Sequence, residues 1–272
     1  MDQVKLGVSL PNFRDDPEPA LAVARAAEAA GLDGVFGFDH LFRRARDGAL
    51  RPALEGMTLL GAVAAETTRI AFGPLVARAS LRPAATLAAA FDTLARIAPG
   101  RLIATIGAGD SESREENETF GLPFGTLGTR VATLAAAVDT AVDRGYPVWV
   151  GGASASVGAV AARADGWNRW GPTVDRFEQE VRTVRELHTR RPFTVSWAGQ
   201  IVLGANDRDA EEKAQRLGGN PEATVGGPER IAEVLRAYGA AGAEWVIAGP
   251  VDSSDPDNAT ALGELVRPLL DR

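Results

Sequence analysis

An aspartate and a histidine stand next to each other in the segment GFDHLF, at Asp39 and His40. The chain has only two histidines in 272 residues, so an imidazole is a scarce side chain here. A carboxylate beside an imidazole that titrates near neutral pH can orient a ligand and exchange a proton with it. The structural alternative is a histidine bonded to a backbone carbonyl beside an aspartate that caps a turn. Where this segment lies in the fold decides between the two interpretations.

A second candidate is the segment GGASAS, which directly precedes a predicted helix. Its first four residues are Gly151, Gly152, Ala153 and Ser154. Free backbone N–H groups at a helix start, together with serine hydroxyls, favour an anion such as phosphate. The alternative interpretation is a tight turn with a serine N-cap.

A third candidate is the segment GAGDSESREENE, which begins with Gly107, Ala108 and Gly109. Glycines let a ligand approach the backbone closely. Asp110 stands nearest to the preceding predicted strand, so we expect a polar role for it at a site. The later acids, Glu112, Glu115, Glu116 and Glu118, are predicted to form a solvated loop and a helix start.

Short apolar segments alternate with longer alanine-rich segments along the whole chain, which predicts repeated βα units and a parallel sheet. Strands are predicted at Lys5–Leu10, Gly34–Phe38, Arg69–Val76, Arg101–Gly107, Pro147–Gly151, Gly166–Trp170, Val195–Leu203 and Glu244–Ala248. Helices are predicted at Pro19–Ala30, Met57–Thr67, Pro83–Ile97, Thr126–Arg144, Ala155–Arg163, Val174–Arg190, Asp207–Tyr238 in two pieces, and Asp257–Leu270. Eight such units favour an α/β fold of the (β/α)8 TIM-barrel type, with residues 1–272 as one domain.

In a TIM barrel, functional sites lie at the C-terminal ends of the strands. The three candidate segments all follow predicted strands, so they are expected to meet at one mouth. Six aromatic residues either line a pocket for a planar ring there or belong to the core. They are Phe13, Phe36, Phe38, Phe42, Trp167 and Trp170.

Composition limits the classes of function. The formal charge of -7 opposes nucleic-acid binding. The absence of cysteine excludes disulfides and thiolate chemistry. No histidine pair with metal-ligand spacing occurs, so we predict no metal site. The N-terminus does not resemble a secretory signal, and no apolar stretch has the length of a membrane span, so a soluble cytoplasmic protein is expected.

Several blocks together resemble the luciferase-like oxidoreductases in motif, order and spacing. The blocks are GLDGVFGFDHLF, ETTRIAFGPLVA, RPAATLAAAFDTLARIAPGRLIATIGAGD, PVWVGGAS with ARADGWN, and VGGPERIAEVLRAYGAAGAEWVI. The resemblance covers nearly the whole chain. It implies a TIM barrel that binds the deazaflavin F420 or FMN at its C-terminal mouth, and a homodimer. The Asp39–His40 pair resembles the F420-dependent branch more than the FMN branch, which often carries Glu-His-His there.

The resemblance also implies roles for individual residues. The match to Asp39 bonds the deazaflavin ring, and the match to His40 lies by the substrate and can act as acid or base. A non-proline cis peptide behind the ring falls at Leu75–Val76. Residues 107–109 match a loop packed against the ring, and residues 151–154 match the segment that holds the phosphate.

The sequence also departs from the family pattern. The sugar-phosphate dehydrogenase branch has a glutamate where this chain has Asp110, and a tryptophan a few residues after the Asp-His pair, where this chain has Arg43 to Arg46. Many relatives carry a long insertion before the fifth strand, whereas here residues 144–146 lead directly into PVWVGG. The shorter link predicts a more open mouth, or one completed by another loop or subunit.

Our leading hypothesis is hydride transfer between F420 and a small organic substrate. His40 is assigned the proton transfer, Asp39 the orientation of the ring, and Asp110 a secondary polar role. An FMN-dependent monooxygenase is the second hypothesis. A barrel that binds a cofactor or ligand without turnover is the third.

Overall fold

The computed structural model describes residues 3–44, 48–188 and 192–271, and it contains a closed barrel of parallel strands. The strands are β1 (Lys5–Ser9), β2 (Gly34–Gly37), β3 (Phe42–Arg44), β4 (Leu50–Pro52), β5 (Ala71–Pro74), β6 (Ala77–Arg78), β7 (Ala104–Gly107), β8 (Val148–Gly151), β9 (Gly166–Trp170), β10 (Thr194–Leu203), β11 (Thr224–Gly226) and β12 (Trp245–Pro250). The barrel order is β5-β2-β1-β12-β10-β9-β8-β7-β6. Because β5 and β6 are two segments of one barrel strand, eight strands surround the axis, and the predicted TIM barrel is confirmed.

The barrel closes between β5 and β7. The Phe72 N–H donates to the Arg101 carbonyl and the Phe72 carbonyl accepts from the Ile103 N–H, both at 2.9 Å. The two backbones come so close that a Cβ on Gly73 would lie 1.9 Å from the Ile103 carbonyl oxygen. Glycine is therefore required at this closure.

Helices cover the outside of the barrel. They are α1 (Glu18–Ala29), α2 (Gly56–Glu66), α3 (Ala84–Ile97), α4 (Ser113–Thr119), α5 (Leu127–Ala141), α6 (Ala155–Ala161), α7 (Val174–Leu187), α8 (Asp207–Arg216), α9 (Pro228–Ala240), α10 (Asp257–Ala261) and α11 (Arg267–Leu270), with a π-helical turn at Leu262–Val266 before the last. Helix α3 shows why they form, since Leu87, Phe91 and Leu94 recur at helical spacing on its buried face. No helix within the described ranges is long and apolar enough to cross a membrane.

Side chains alternate along each strand between the helix-facing layer and the barrel interior. In β1, Leu6 and Val8 belong to the main core between sheet and helices. A separate apolar cluster fills the interior: Phe36, Leu75, Ile103, Trp149, Ala198, Trp245 and Ile247. Aromatic rings pack edge to face there, with the Trp149 and Trp245 centroids 5.8 Å apart at 71°. The barrel is thus a packed core with its opening at one end.

Five features differ from the sequence-based expectation. Strand β11 was not predicted, and it lies between the two pieces of the seventh predicted helix. Residues 42–52 contain an antiparallel hairpin of β3 and β4, which was not predicted. Helix α4 is not among the predicted helices, although a helix start was expected among the acids of its segment. The third predicted strand is interrupted at residues 75–76. The predicted helix Val174–Arg190 ends at Leu187, and its last two residues lie outside the described ranges, as does Arg46.

Candidate active site

The segment that follows β2 is shaped by a buried asparagine from the end of β1. The Asn12 side-chain amide donates to the Phe38 carbonyl at 3.0 Å and accepts from the Phe38 N–H at 2.9 Å. Asn12 is fully buried, so both of these bonds replace water. The clamp fixes the strand end from which Asp39 and His40 project.

Asp39 is turned inward. Its side chain is inaccessible, and its two oxygens accept from the Arg82 guanidinium at 2.7 and 2.9 Å. One oxygen also accepts from the Arg78 backbone N–H at 2.9 Å. Protein donors engage both oxygens, and the bond from this residue to a deazaflavin ring that the resemblance implies stays a prediction. Asp39 therefore joins the end of β2 to the segment after the third barrel strand.

His40 faces the mouth, with 31% of its side chain exposed. Its Nδ1 lies 3.0 Å from Glu116 Oε2, and its ring is 5.4 Å from that of Phe13. Because an ionised carboxylate only accepts, Nδ1 carries the proton in this contact. The other ring nitrogen, Nε2, is then left to bind or exchange a proton with a ligand.

Glu116 is the residue that sequence analysis misplaced. It was predicted to lie in a solvated segment, but its side chain is only 4% exposed. Besides His40 it accepts a hydrogen bond from the Leu41 N–H and forms an ion pair with Arg78, with Nη2 at 2.7 Å from Oε1. Burial acts to raise the pKa of Glu116, but the bonds from His40 and Leu41 and the charge of Arg78 outweigh it and hold the pKa below its ordinary value.

Arg78 connects the two carboxylates. It is buried, donates through Nε to the Asp39 carbonyl at 2.9 Å and through Nη1 to Asn117 Oδ1 at 3.1 Å. Burial lowers the pKa of Arg78, and the charges of Glu116, Asp39 and Asp110 oppose that shift. A guanidinium remains charged under such conditions, so a permanent cation lies behind the mouth.

The signal for this arrangement was present in the sequence as a helical spacing. Ser113, Glu116 and Asn117 are the buried residues of α4, at positions i, i+3 and i+4. Asp110, in contrast, is exposed, and it accepts from the Ser113 N–H and hydroxyl, both at 2.9 Å. It therefore stabilises the start of α4, and a direct role for it at the site stays a prediction.

Bare backbone and a valine form the floor between β6, β7 and β8. A cis peptide bond joins Leu75 and Val76, at the position that the resemblance implied. A Cβ on Gly107 or Gly151 would lie 2.3 or 2.4 Å from a methyl carbon of Val76. Only glycine fits at both positions, and Val76 presents an apolar surface between the two strands.

Aromatic side chains extend this surface across the mouth. Phe13 stacks on Phe38 at 6.0 Å, and Phe38 meets Trp170 from the opposite side of the barrel at 5.8 Å. Of the other aromatics considered, Phe36 and Trp167 are core residues. Phe42 stacks on Phe120 of the α4 region. The aromatics are thus divided between pocket and core.

The end of β8 has a different chemical character. Ser154 caps α6 by accepting from the Val157 N–H at 3.3 Å, and its hydroxyl is 3.0 Å from that of Ser156. Gly152 has φ +140°. A cavity of about 320 Å³ borders this segment, between α6 and α7. It is lined by Gly152, Ala153, Ser154, Ala155, Gly158, Trp167, Gln179, Glu180, Thr183, Val184 and Leu187.

Sequence comparison assigns the family. The model of the family described as luciferase-like monooxygenase matches residues 3–223. The chain belongs to this family. The His40–Glu116 pair and the glycine floor are both built from residues within the matched range. No group of three or more potential metal ligands occurs within the described part of the chain.

Among curated relatives, an F420-dependent glucose-6-phosphate dehydrogenase of Beutenbergia cavernae is 38% identical over 122 residues, which are 44% of this chain and 35% of the relative. The same enzyme of Nakamurella multipartita is 38% identical over 96 residues, covering 35% and 28%. The chain thus matches only about a third of the length of these relatives.

Solved structures show the same fold over almost the whole chain. An F420-dependent secondary alcohol dehydrogenase in complex with an F420-acetone adduct aligns with a TM-score of 0.82 at 16% identity, covering 99% of this chain and 100% of the other. A riboflavin lyase with modified FMN aligns with a TM-score of 0.80 at 14% identity, covering 99% and 91%. Identities this low establish the fold alone.

Proposed function

We propose that the protein is an F420-dependent oxidoreductase that transfers a hydride between F420 and a small organic substrate at the barrel mouth. The observation that carries the proposal is His40, a partly exposed imidazole held by the buried Glu116 next to an apolar, glycine-lined floor. The curated relatives with F420-dependent names support this cofactor, as does the Asp39–His40 pattern.

The residues at the mouth fit such a cofactor. Leu75, Val76 and residues 107–109 would lie against a planar ring, because Val76 and bare backbone leave a smooth surface there. Residues 151–154 would hold a phosphate through backbone N–H groups and hydroxyls. Asp39 would orient the ring indirectly, because it fixes the Arg78 N–H, two residues after Val76. When bound, F420 supplies a carbon that accepts or donates a hydride.

His40 would move the proton that accompanies the hydride. For an alcohol substrate, His40 Nε2 would take the hydroxyl proton, bound F420 would supply the hydride acceptor, and the product would be a carbonyl compound. Glu116 stabilises the imidazolium that forms, because an anion lies 3.0 Å from Nδ1. In the reverse direction the same imidazolium returns the proton to the carbonyl oxygen.

Cofactor binding tests the proposal. The purified protein is titrated with F420 and, separately, with FMN, and binding is followed by cofactor fluorescence and absorption. We expect F420 to bind at least tenfold more tightly than FMN. We also expect the visible absorption of bound F420 to change when a substrate from a panel of alcohols is added. Tighter binding of FMN, or binding of neither, would contradict the proposal.

An FMN-dependent monooxygenase is the second candidate. The family name and the FMN-containing neighbour support it. It predicts that the FMN-loaded protein consumes oxygen when a reductant and an oxidisable substrate are supplied. Oxygen consumption with FMN and no change with F420 would favour this candidate.

A further inference from the structure

The hairpin of β3 and β4 is fixed by one of its faces. Phe42 stacks on Phe120 with ring centroids 6.3 Å apart, and Arg44 donates through Nε to Glu115 at 3.0 Å. The Leu41 N–H, just before the hairpin, donates to Glu116. Together these contacts attach the hairpin to the α4 region and hold it beside the mouth.

The opposite face carries two arginines in register. Successive residues of a strand point to opposite sides, so Arg43 faces away from Phe42 and Arg44. Arg43 and Arg51 are directly opposite each other in the antiparallel pair. The Arg43 guanidinium lies over the Phe13 ring, 5.2 Å from its centroid. This face therefore looks toward the segment that follows β1.

Neither Arg43 nor Arg51 has a carboxylate partner among the described residues, and both are exposed. Arg44, on the other face of the same strand, is neutralised by Glu115. Like charges opposite each other in a sheet are destabilising, and a compensating anion removes that penalty. In a chain with a net charge of -7, a pair of arginines at the mouth that no described carboxylate neutralises indicates an anionic ligand.

The position of the pair points to the substrate. The contact of 5.2 Å from Arg43 to Phe13 and the contact of 5.4 Å from Phe13 to His40 place the guanidinium within the reach of a sugar-phosphate-sized molecule held at His40. The hairpin follows β2, which is three positions around the barrel from β8 and the segment 151–154. The cationic face is therefore distinct from the segment assigned to the cofactor's phosphate.

We propose that Arg43 and Arg51 bind a phosphate or carboxylate group of the substrate, while the reacting carbon lies at His40. The paired guanidinium forks match the oxygen geometry of such groups. This inference rests on the proposed function, and it specifies the substrate as an anionic molecule. An anionic tail on the cofactor would present the same chemistry. The test therefore distinguishes an anion of the substrate from an anion of the cofactor.

The test compares two double variants of equal charge. R43Q/R51Q removes the hairpin pair, and R216Q/R236Q removes two exposed arginines of α8 and α9 that form no ion pair within the described chain. Inorganic phosphate is titrated into each F420-saturated protein at constant ionic strength, and binding is followed by the ³¹P line width. F420 affinity is measured in parallel by fluorescence, and Tm confirms that each variant is folded.

We expect R43Q/R51Q to weaken phosphate binding at least tenfold, R216Q/R236Q to leave it unchanged, and both to leave F420 affinity unchanged. Equal phosphate affinity in the two variants would overturn the proposal. A parallel loss of F420 affinity in R43Q/R51Q would overturn it too, because the arginines would then hold the cofactor. If wild-type protein does not bind F420, the proposed function fails, and the same phosphate comparison on cofactor-free protein still decides whether the hairpin binds anions.

Discussion

The ends of strands β2 and β8 lie at the same mouth but are built in opposite ways. The β2 end places the carboxylates of Asp39 and Glu116 in buried contacts with Arg78 and Arg82. The β8 end, residues 151–154, consists of glycines, an alanine and a serine, and carries no charge. A group that moves protons needs fixed charges nearby to set its protonation, whereas an anion can be held by neutral backbone N–H groups. The difference supports the proposed division, with proton chemistry at one end and anion binding at the other.

The comparison also predicts how each end responds to mutation. Removing one member of a buried charge network leaves its partner uncompensated and is strongly destabilising. At the β8 end, side-chain volume is the constraint, because Val76 occupies the space that a Cβ on Gly107 or Gly151 would need. A larger side chain at either glycine should lower the stability of the fold by steric overlap with Val76. A smaller residue at position 76 should restore that stability.

The largest effect is expected at His40. His40→Gln removes the proton-exchanging nitrogen and should lower kcat by about 10²–10⁴-fold, with little change in F420 affinity. Stopped-flow turnover and fluorescence titration measure the two quantities. His188→Gln, at the only other histidine, should leave kcat unchanged. Equal turnover of His40→Gln and wild type would contradict proton transfer by His40.

Glu116→Gln should destabilise the fold by roughly 3 kcal/mol, because Arg78 loses its buried counter-ion. The pKa of Glu116 is below its ordinary value of 4.5, so its stabilisation is fully present above that pH and is lost as the pH falls through the lower folded pKa. Urea unfolding between pH 7 and pH 3 should therefore show a smaller acid-dependent loss in the variant.

The matched control for that experiment is Glu118→Gln on the same helix, whose side chain is 60% exposed. We expect it to change stability by less than about 0.5 kcal/mol. If both variants behave alike, the buried network does not stabilise the β2 end. Glu116→Gln should also lower kcat, because an imidazolium at His40 would lose the anion that lies at Nδ1, whereas Glu118→Gln should not.

Gly151→Ala should cost about 1–3 kcal/mol, because its Cβ would overlap Val76. The double variant V76A/G151A should recover much of this loss, since the methyl carbon that lies 2.4 Å away is then absent. Gly158→Ala is the control, because its Cβ would meet nothing closer than 3.7 Å. Additive effects of V76A and G151A in thermal unfolding would contradict the steric account of the β8 end.

The smallest effect is expected at Ser154. Ser154→Ala removes the N-cap of α6 and should cost about 1 kcal/mol. Thr126→Ala, which removes the N-cap of α5, should cost a similar amount. Only Ser154→Ala should also weaken F420 binding. Identical F420 affinity in both variants would show that Ser154 caps α6 without contributing to cofactor binding.

The barrel could be predicted from sequence because its signals are local. Most barrel strands are apolar runs and the helices that cover them are periodic, and residues such as Gly151 and His40 lie at or just after the end of a strand. Glu116 could not be placed in the same way, because its burial depends on contact with His40, 76 positions earlier in the chain. The buried face of a helix as charged as α4 is therefore set by its tertiary contacts and cannot be predicted from its own sequence.

The hairpin was missed for a related reason. The segment FRRARDGALRP is rich in arginine, and its Asp-Gly dipeptide at 47–48 lacks the alternating apolar flanks that normally mark a β-hairpin. What holds the hairpin is its attachment to the α4 region through Phe42 and Arg44. That stabilisation comes from residues more than 60 positions away, so local patterning could not reveal it.

The attachment of the hairpin to the α4 region also has a consequence for how this protein diverges from its relatives. Arg44 with Glu115 and Phe42 with Phe120 form matched pairs across two segments that are distant in sequence. A homologue that replaces one member of a pair leaves the other without its charge partner or its stacking partner. The two segments should therefore be inherited together, and changes at positions 42 and 44 should coincide with changes at 120 and 115 among homologues.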